Sequence, residues 1–486
     1  MFQRLATALA AIATTGFIAV ESLAVQPEER NYWPLLVQRP ADEQGVARWS
    51  SLGPFFFGSD HASGEKLRGF RPFHHHYESP DQSEATSLLY PLWYREVDAP
   101  QDRKRWTFFN LINSDSGSRQ SDRFSVWPFY FSRETGDAPT SYRALFPFYG
   151  DISHRFGQDR LKWILFPLFT QYQNNDQVTT ATPWPFIKTI SGEGHQGFEF
   201  WPLLGQREET GKTKRQFWLW PLGYRSSKGL DTDEPTYRSG FLPFYSQQTS
   251  PGFRSQTFGW PFFGYVNRTS PETYRATHLF YPLWVQGRGE TRTVNRWAPF
   301  YSHSRSAHQE KTWVMWPLWR DHQWQSNHLH HRRQQLVYFL FHEEVQRSLQ
   351  SPDAEPAVKR HVWPLFSHWN NGAGRVQVQA LSPVDVFFPH NERMRKLWSP
   401  LFALYRYDQT APGEIRHAWL WDAVTFAAST ERSRREFHLG PLFNFTQSPE
   451  GRRWGFLAGL LSVRQDGEGG LKASSRLKIF HRDASH

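Results

Sequence analysis

The stretch Phe217-Trp218-Leu219-Trp220-Pro221-Leu222-Gly223-Tyr224 decides how this chain is read, because its centre, Trp220-Pro221-Leu222, recurs along the sequence. An aromatic residue, a proline, then Leu or Phe stands at Trp33-Pro34, Tyr90-Pro91, Trp127-Pro128, Phe166-Pro167, Trp201-Pro202, Trp260-Pro261, Tyr281-Pro282, Trp316-Pro317 and Trp363-Pro364. It also stands at Phe146-Pro147 and Trp184-Pro185, with looser copies such as Leu242-Pro243, Ala298-Pro299, Ser399-Pro400 and Gly440-Pro441. The spacing is about 17–24 residues, mostly near 19, which marks a repeat architecture. One unit copied along the chain predicts a single β-repeat domain over residues 25–486, irregular around 323–362.

Around each copy the chain alternates between an apolar, aromatic core and a polar connector. Gln206 to Arg215 is polar and contains Gly211; Phe217 to Tyr224 is apolar and aromatic-rich, as strands are. The connectors carry hairpin residues, as in Asn174-Asn175-Asp176, Ser250-Pro251-Gly252, Ala411-Pro412-Gly413 and Pro449-Glu450-Gly451. Thr135-Gly136-Asp137 and Asp466-Gly467-Glu468-Gly469-Gly470 read the same way. Helical signals are confined to a short candidate at Phe341 to Leu349. Short connections make neighbouring strands antiparallel, so the pattern predicts an all-β meander of about 22–24 strands. Each strand would carry Pro near its midpoint, where the missing amide bends the sheet. Asn110, Asp422 and Ala458 stand where other copies carry Pro and read as degenerate repeats.

The 486 residues include 23 Trp, 18 Tyr, 41 Phe and 33 Pro, yet polar connectors keep the mean hydropathy at −0.66. The net charge of +10 is spread through connectors that also hold Asp and Glu, which marks a solvated surface and not a nucleic-acid groove. With no cysteine the chain has no disulfide, thiolate metal site or thiol nucleophile. Met1 to Ala24 reads as a signal peptide: Arg4 in the n-region, an apolar run from Leu5 to Val20, and small residues at Ser22-Leu23-Ala24. The mature chain is therefore expected to work outside the cytoplasm.

An export signal, absent cysteine, tandem aromatic strands and charged connectors resemble the outer-membrane β-barrel class. That resemblance implies closure into a large outer-membrane-type β-barrel, acting without enzymatic activity as a pore, an export or assembly channel, or an envelope scaffold. Its partners would be membrane lipid or lipopolysaccharide, with envelope proteins or glycans beside them, and no nucleic acid. The alternative is a soluble layered β-repeat, propeller or β-solenoid, secreted or periplasmic, that binds glycans or envelope components. His74-His75-His76 and His328-Leu329-His330-His331 are the only local ligand-type clusters. They lack regular acidic companions and read as solvated loops or strand ends, so no metal or cofactor is expected. No nucleophile elbow, phosphate loop or His-Glu-x-x-His motif is present, and no catalytic residue is assigned.

Overall fold

A computed structural model describes residues 28–475, apart from 43–44, 118–120, 137–139, 389–390 and 467–469. The signal segment and the candidate last strand around Leu477, Ile479 and Phe480 lie outside the described residues, as do parts of the Thr135 and Asp466 connectors. The chain forms two compact units. One comprises the residues up to Arg71, Tyr77–Pro80 and those from Gln409 onward; the other comprises Pro72–His76 and Asp81–Asp408.

The all-β antiparallel meander is present, with 45 strands among the described residues, mostly of four to six residues each. That is about twice the expected number, because each aromatic–proline motif is a hairpin turn and not a strand centre. Phe217 and Trp218 end one strand, Gly223 and Tyr224 begin the next, and they pair as Phe217↔Tyr224 and Trp218↔Gly223. Proline has no amide for a ladder, so the chain turns at the motif instead of running straight through it. In every full copy the aromatic–proline peptide is cis, and in most of them the residue after Pro closes a tight turn. Leu203 N–H donates to Phe200 O at 2.8 Å, and Leu222 N–H to Leu219 O at 2.8 Å.

In the larger unit, strands follow one another from β7 (Glu84–Leu88) to β37 (Val376–Ala380), each antiparallel to the next. Motif turns and polar turns alternate, so all motif turns lie on one edge of this ladder and all polar connectors on the other. Among the described residues no pairing joins β7 to β37, so this ladder has two ends and does not close on itself. In the smaller unit, β1 (Arg30–Tyr32) to β5 (Lys66–Phe70) form one antiparallel run, and β39 (Glu414–Trp419) to β45 (Leu471–Ser475) another.

The irregular region holds three eight-residue strands: β32 (Trp319–Ser326), β33 (Leu329–Leu336) and β34 (Phe341–Ser348). The helical candidate at Phe341 to Leu349 is thus a strand, its alternation of buried and half-buried residues following the pleat. The one helix among the described residues, α1 (Glu392–Phe402), lies elsewhere, and Ser399-Pro400 sits inside it and not in a repeat turn. The Asn391 side chain caps it by accepting from Met394 N–H at 3.1 Å. Met394 and Leu397, three apart, form its buried stripe. Gln379 Nε2 donates to Ser399 O at 2.9 Å and ties the helix to β37. A cluster of buried apolar residues in the larger unit gathers Phe131, Tyr142, Ala144, Ile152 and Trp163, with Phe146, Leu161 and Phe166 against it.

Four-residue motif turns place one residue before the aromatic in the left-handed region: Leu165 at φ 43°, Leu219 at 45° and Met315 at 50°. Gly259 fills the same place at φ 50°. A side chain there costs about 1–2 kcal/mol, offset in part by the extra chain entropy of glycine. Leu219→Gly is therefore expected to leave denaturant stability unchanged or raise it by up to about 1 kcal/mol, whereas Gly259→Ala lowers it by about 1 kcal/mol. A clear loss in Leu219→Gly would show that the leucine side chain packs in the folded state.

Candidate functional site

The main candidate surface is the edge built by the motif turns. The turns are hydrogen-bonded to one another as well as closed internally. The N–H of a motif aromatic reaches a carbonyl of the previous turn: the proline's own for Phe166 to Pro147 at 2.7 Å, Trp184 to Pro167 at 2.8 Å, Trp220 to Pro202 at 2.7 Å and Trp316 to Pro299 at 2.7 Å, and the next residue's for Phe146 to Phe129 at 2.6 Å, Trp201 to Phe186 at 2.7 Å and Tyr281 to Phe262 at 2.9 Å. Their rings follow the same ladder. Phe146 and Phe166 lie 5.2 Å apart between centroids, Phe166 and Trp184 5.4 Å, and Trp201 and Trp220 5.9 Å. Such offset aromatic pairs contribute about 0.5–1.5 kcal/mol beyond their buried area.

The first strand position beside these turns is apolar nearly throughout. The register pairs Leu204 with Trp218, Tyr245 with Phe258, Trp284 with Trp297, Tyr301 with Val314, and Trp319 with Leu336. The turn residues project beyond them and are widely open: Trp220 is 51% exposed, Phe244 67% and Phe300 65%. One step further from the edge, charge appears at Lys188 with Glu199 (3.3 Å), and at Arg296 and Arg320. The apolar border is thus the turn plus about one strand residue. The repeat residues named from sequence, from Trp33-Pro34 to Trp363-Pro364, all occupy such turns. Sequence reasoning gave the residues but placed them at the middle of the sheet.

Within the smaller unit, Asp422 is the centre of a buried charge network. It accepts from Arg39 at 2.7 and 2.9 Å and from Arg416 at 2.9 Å, while Arg416 also pairs with Glu29 at 2.8 Å. Thr425 donates to Glu29 at 2.8 Å, and Asn31 Nδ2 to Asp422 O at 2.7 Å. The network fastens the N-terminal residues to β39 and β40 (Val424–Ser429). Burial by itself would raise both carboxyls. Arg39 and Arg416 outweigh it at Asp422, and Arg416, His438 and Arg39 at Glu29, so both are held below the usual carboxylate range. The sequence signal for this hub was the acid standing where a repeat normally has Pro.

Of the histidines named from sequence, His74, His75 and His76 lie on one strand, which His74 opens, and His330 and His331 lie on β33. His75 is buried and hydrogen-bonded to Ser87, and His76 meets Thr86 at 2.8 Å. His331 stacks on Trp324 at 4.9 Å, while His328 lies in a turn. Among the described residues no three His, Asp or Glu side chains are grouped as metal ligands. No helix among them is long and apolar enough to cross a membrane.

A mixed surface lies on the face of β29 (Thr293–Trp297) to β33 that carries Arg296, Lys311, Arg320, His322 and Arg333. It adjoins a cavity of about 560 Å³ whose lining includes Arg268, Glu272, Tyr274, Arg292, His322 and Trp324. No family model matches the chain, and no curated protein matches it.

Removing Asp422 leaves Arg39 and Arg416 buried without their shared partner. Asp422→Ala is expected to cost the smaller unit about 3–5 kcal/mol in denaturant unfolding. Because Glu29 and Asp422 have folded-state pKa values below their unfolded ones, their contribution is complete at neutral pH and is lost as pH falls below about 4. Thermal melts across that range should show this loss in the native chain and a weaker pH dependence in Asp422→Ala.

Proposed function

We propose that the protein is a non-enzymatic scaffold of the cell envelope that seats its aromatic turn edge in the interface of a membrane, with lipid as its main partner. The observation that carries this reading is the edge itself: large apolar side chains on a backbone whose polar groups are paired from turn to turn. Hydrocarbon offers no partner to a free N–H or C=O, so an apolar edge enters lipid cheaply only when its backbone is paired internally. Trp and Tyr are also the residues that favour the boundary between hydrocarbon and water.

Strand length favours a scaffold over a pore. Six residues at about 3.3 Å each give about 20 Å, and charge enters the second row beside the turns in several strands, against the roughly 25 Å lipid-facing band of a spanning barrel. The charges at Lys188, Glu199, Arg296 and Arg320 would stop insertion just past the border. That gives a depth in the range of interfacial helices, about 5–10 Å. The export signal expected from Met1 to Ala24 agrees with an envelope location, and the outer membrane is the proposed site.

Cell fractionation and co-sedimentation with phospholipid vesicles test this reading. The chain is expected in the membrane fraction, and its tryptophan emission should shift to the blue on vesicle binding. The triple variant Trp201→Ser, Trp220→Ser, Trp260→Ser is expected to lose at least about tenfold in vesicle partitioning, while its far-UV dichroism is unchanged. Recovery of the native chain as a soluble protein that ignores vesicles would overturn the proposal.

A further inference from the structure

Side chains alternate between the two faces of a sheet, and around β31 (Gln309–Val314) to β33 this alternation puts the acids of these strands on one face and leaves the other face basic. Lys311 pairs in register with His322, and His322 with Arg333, so all three share one face. Arg320, two residues before His322, and Arg296 share it too. The acids of these strands face the other way: Glu310 meets His303 at 2.9 Å, and Asp321 meets Arg332 at 2.7 Å. Among the described residues no carboxylate lies within ion-pair distance of Arg296, Lys311 or Arg320, and Arg333 alone has one, Glu344 at 2.8 Å. Arg320 Nε and His322 Nε2 are buried with no hydrogen-bond partner.

The arrangement is electrostatically unfavourable for Lys311 and His322. Burial, then the like charges of Arg320 and Arg296, pushes the Lys311 ammonium below its usual range. Burial, then Lys311, Arg320 and Arg333, pushes His322 down to about 4. Lys311, Arg320 and Arg296, gathered on one face with no carboxylate in ion-pair distance, are arranged for an anion that the folded chain does not itself supply to them.

Aromatic rings are interleaved with these charges. Arg320 lies over Trp313 at 5.1 Å, Arg333 over Trp324 at 5.1 Å, and Arg292 over Tyr274 at 5.2 Å. Trp324 and His322 stack at 4.6 Å. His322 and Trp324 also line the cavity of about 560 Å³, a size within the usual range for small-ligand sites. Flat rings beside a row of donors suit a molecule with apolar C–H faces and anionic substituents. Phosphate, with up to two charges and three strong acceptor oxygens, engages several fixed cations at once.

We propose that this face and its cavity bind a phosphorylated saccharide, with Lys311, Arg320 and Arg333 holding the phosphate and Trp324 with Tyr274 receiving the sugar rings. The site does not depend on the membrane reading, since it lies on a sheet face and beside the polar turns.

Isothermal titration of the full chain tests it, with a bis-phosphorylated glucosamine disaccharide, the same disaccharide without phosphate, and inorganic phosphate as probes. Saturable binding is expected for the first, at least tenfold tighter than for either of the others. The double variant Lys311→Gln, Arg320→Gln should weaken that binding at least tenfold and raise the melting temperature of the free protein. Arg332→Gln, on the opposite face, should leave binding unchanged. Vesicles bearing the same disaccharide as a glycolipid distinguish the source: binding there marks a lipid-borne ligand, and binding only in solution a free glycan. Absence of saturable binding in both forms, equal binding of the unphosphorylated sugar, or equal loss in Arg332→Gln would overturn the proposal.

Discussion

Proline's missing amide is the constraint on which the rest of this structure depends. A residue that cannot donate to a ladder belongs where the ladder ends, and the chain supplies one at intervals of about 19 residues. Each therefore turns the chain back, and the apolar residues around it become the two strand ends and the tip of a hairpin. Because the intervening polar connectors turn the chain the opposite way, the larger unit collects its aromatic turns on one edge and its charged turns on the other. The carbonyls of Pro147, Pro167, Pro202 and Pro299 then accept from the next turn's aromatic amide, so the edge is itself a ladder.

That edge explains how a chain this rich in Trp and Phe keeps so few of them in a core. A single sheet with short strands has little volume to enclose, and its buried side chains are mostly small or medium, such as Ser87, Thr179, Ala181 and Ile152. The large rings are placed at the border, where they stack along the turns. Charges are handled by position. In the smaller unit Arg416 is buried between Glu29 and Asp422, which makes the network a specific fastening for the N-terminal residues. On β31 to β33 of the larger unit, Glu310 and Asp321 face away from Lys311, Arg320 and Arg333; of these only Arg333 has a carboxylate partner, Glu344, while Arg320 lies over Trp313 and donates to Gln335.

The meander, its antiparallel sense and the hairpin character of connectors such as Asn174-Asn175-Asp176 were legible because turn chemistry and aromatic content are local properties. The strand count was not. An apolar run such as Phe217 to Tyr224 has the same composition whether it is one strand or two strand ends and a turn, and only the pairing Trp218↔Gly223 separates the cases. The helix Glu392–Phe402 has a capping Asn391 and apolar residues at Met394, Leu397 and Leu401, a pattern hidden by the repeat-like Ser399-Pro400-Leu401. Phe341 to Leu349 read as a short helical candidate, yet its strand β34 pairs on both sides, with β33 and with Ala357–Val362.

By itself the sequence determined an all-β repeat, where the chain punctuates, and which residues are large and apolar, since these follow from propensity and periodicity along the chain. Tertiary structure alone decided which edge the motifs share, which face each charge takes, and that Asp422 in a degenerate repeat meets Arg39, 383 positions away. Facing and long-range partnership depend on register, and one residue of slip would send every side chain to the opposite face.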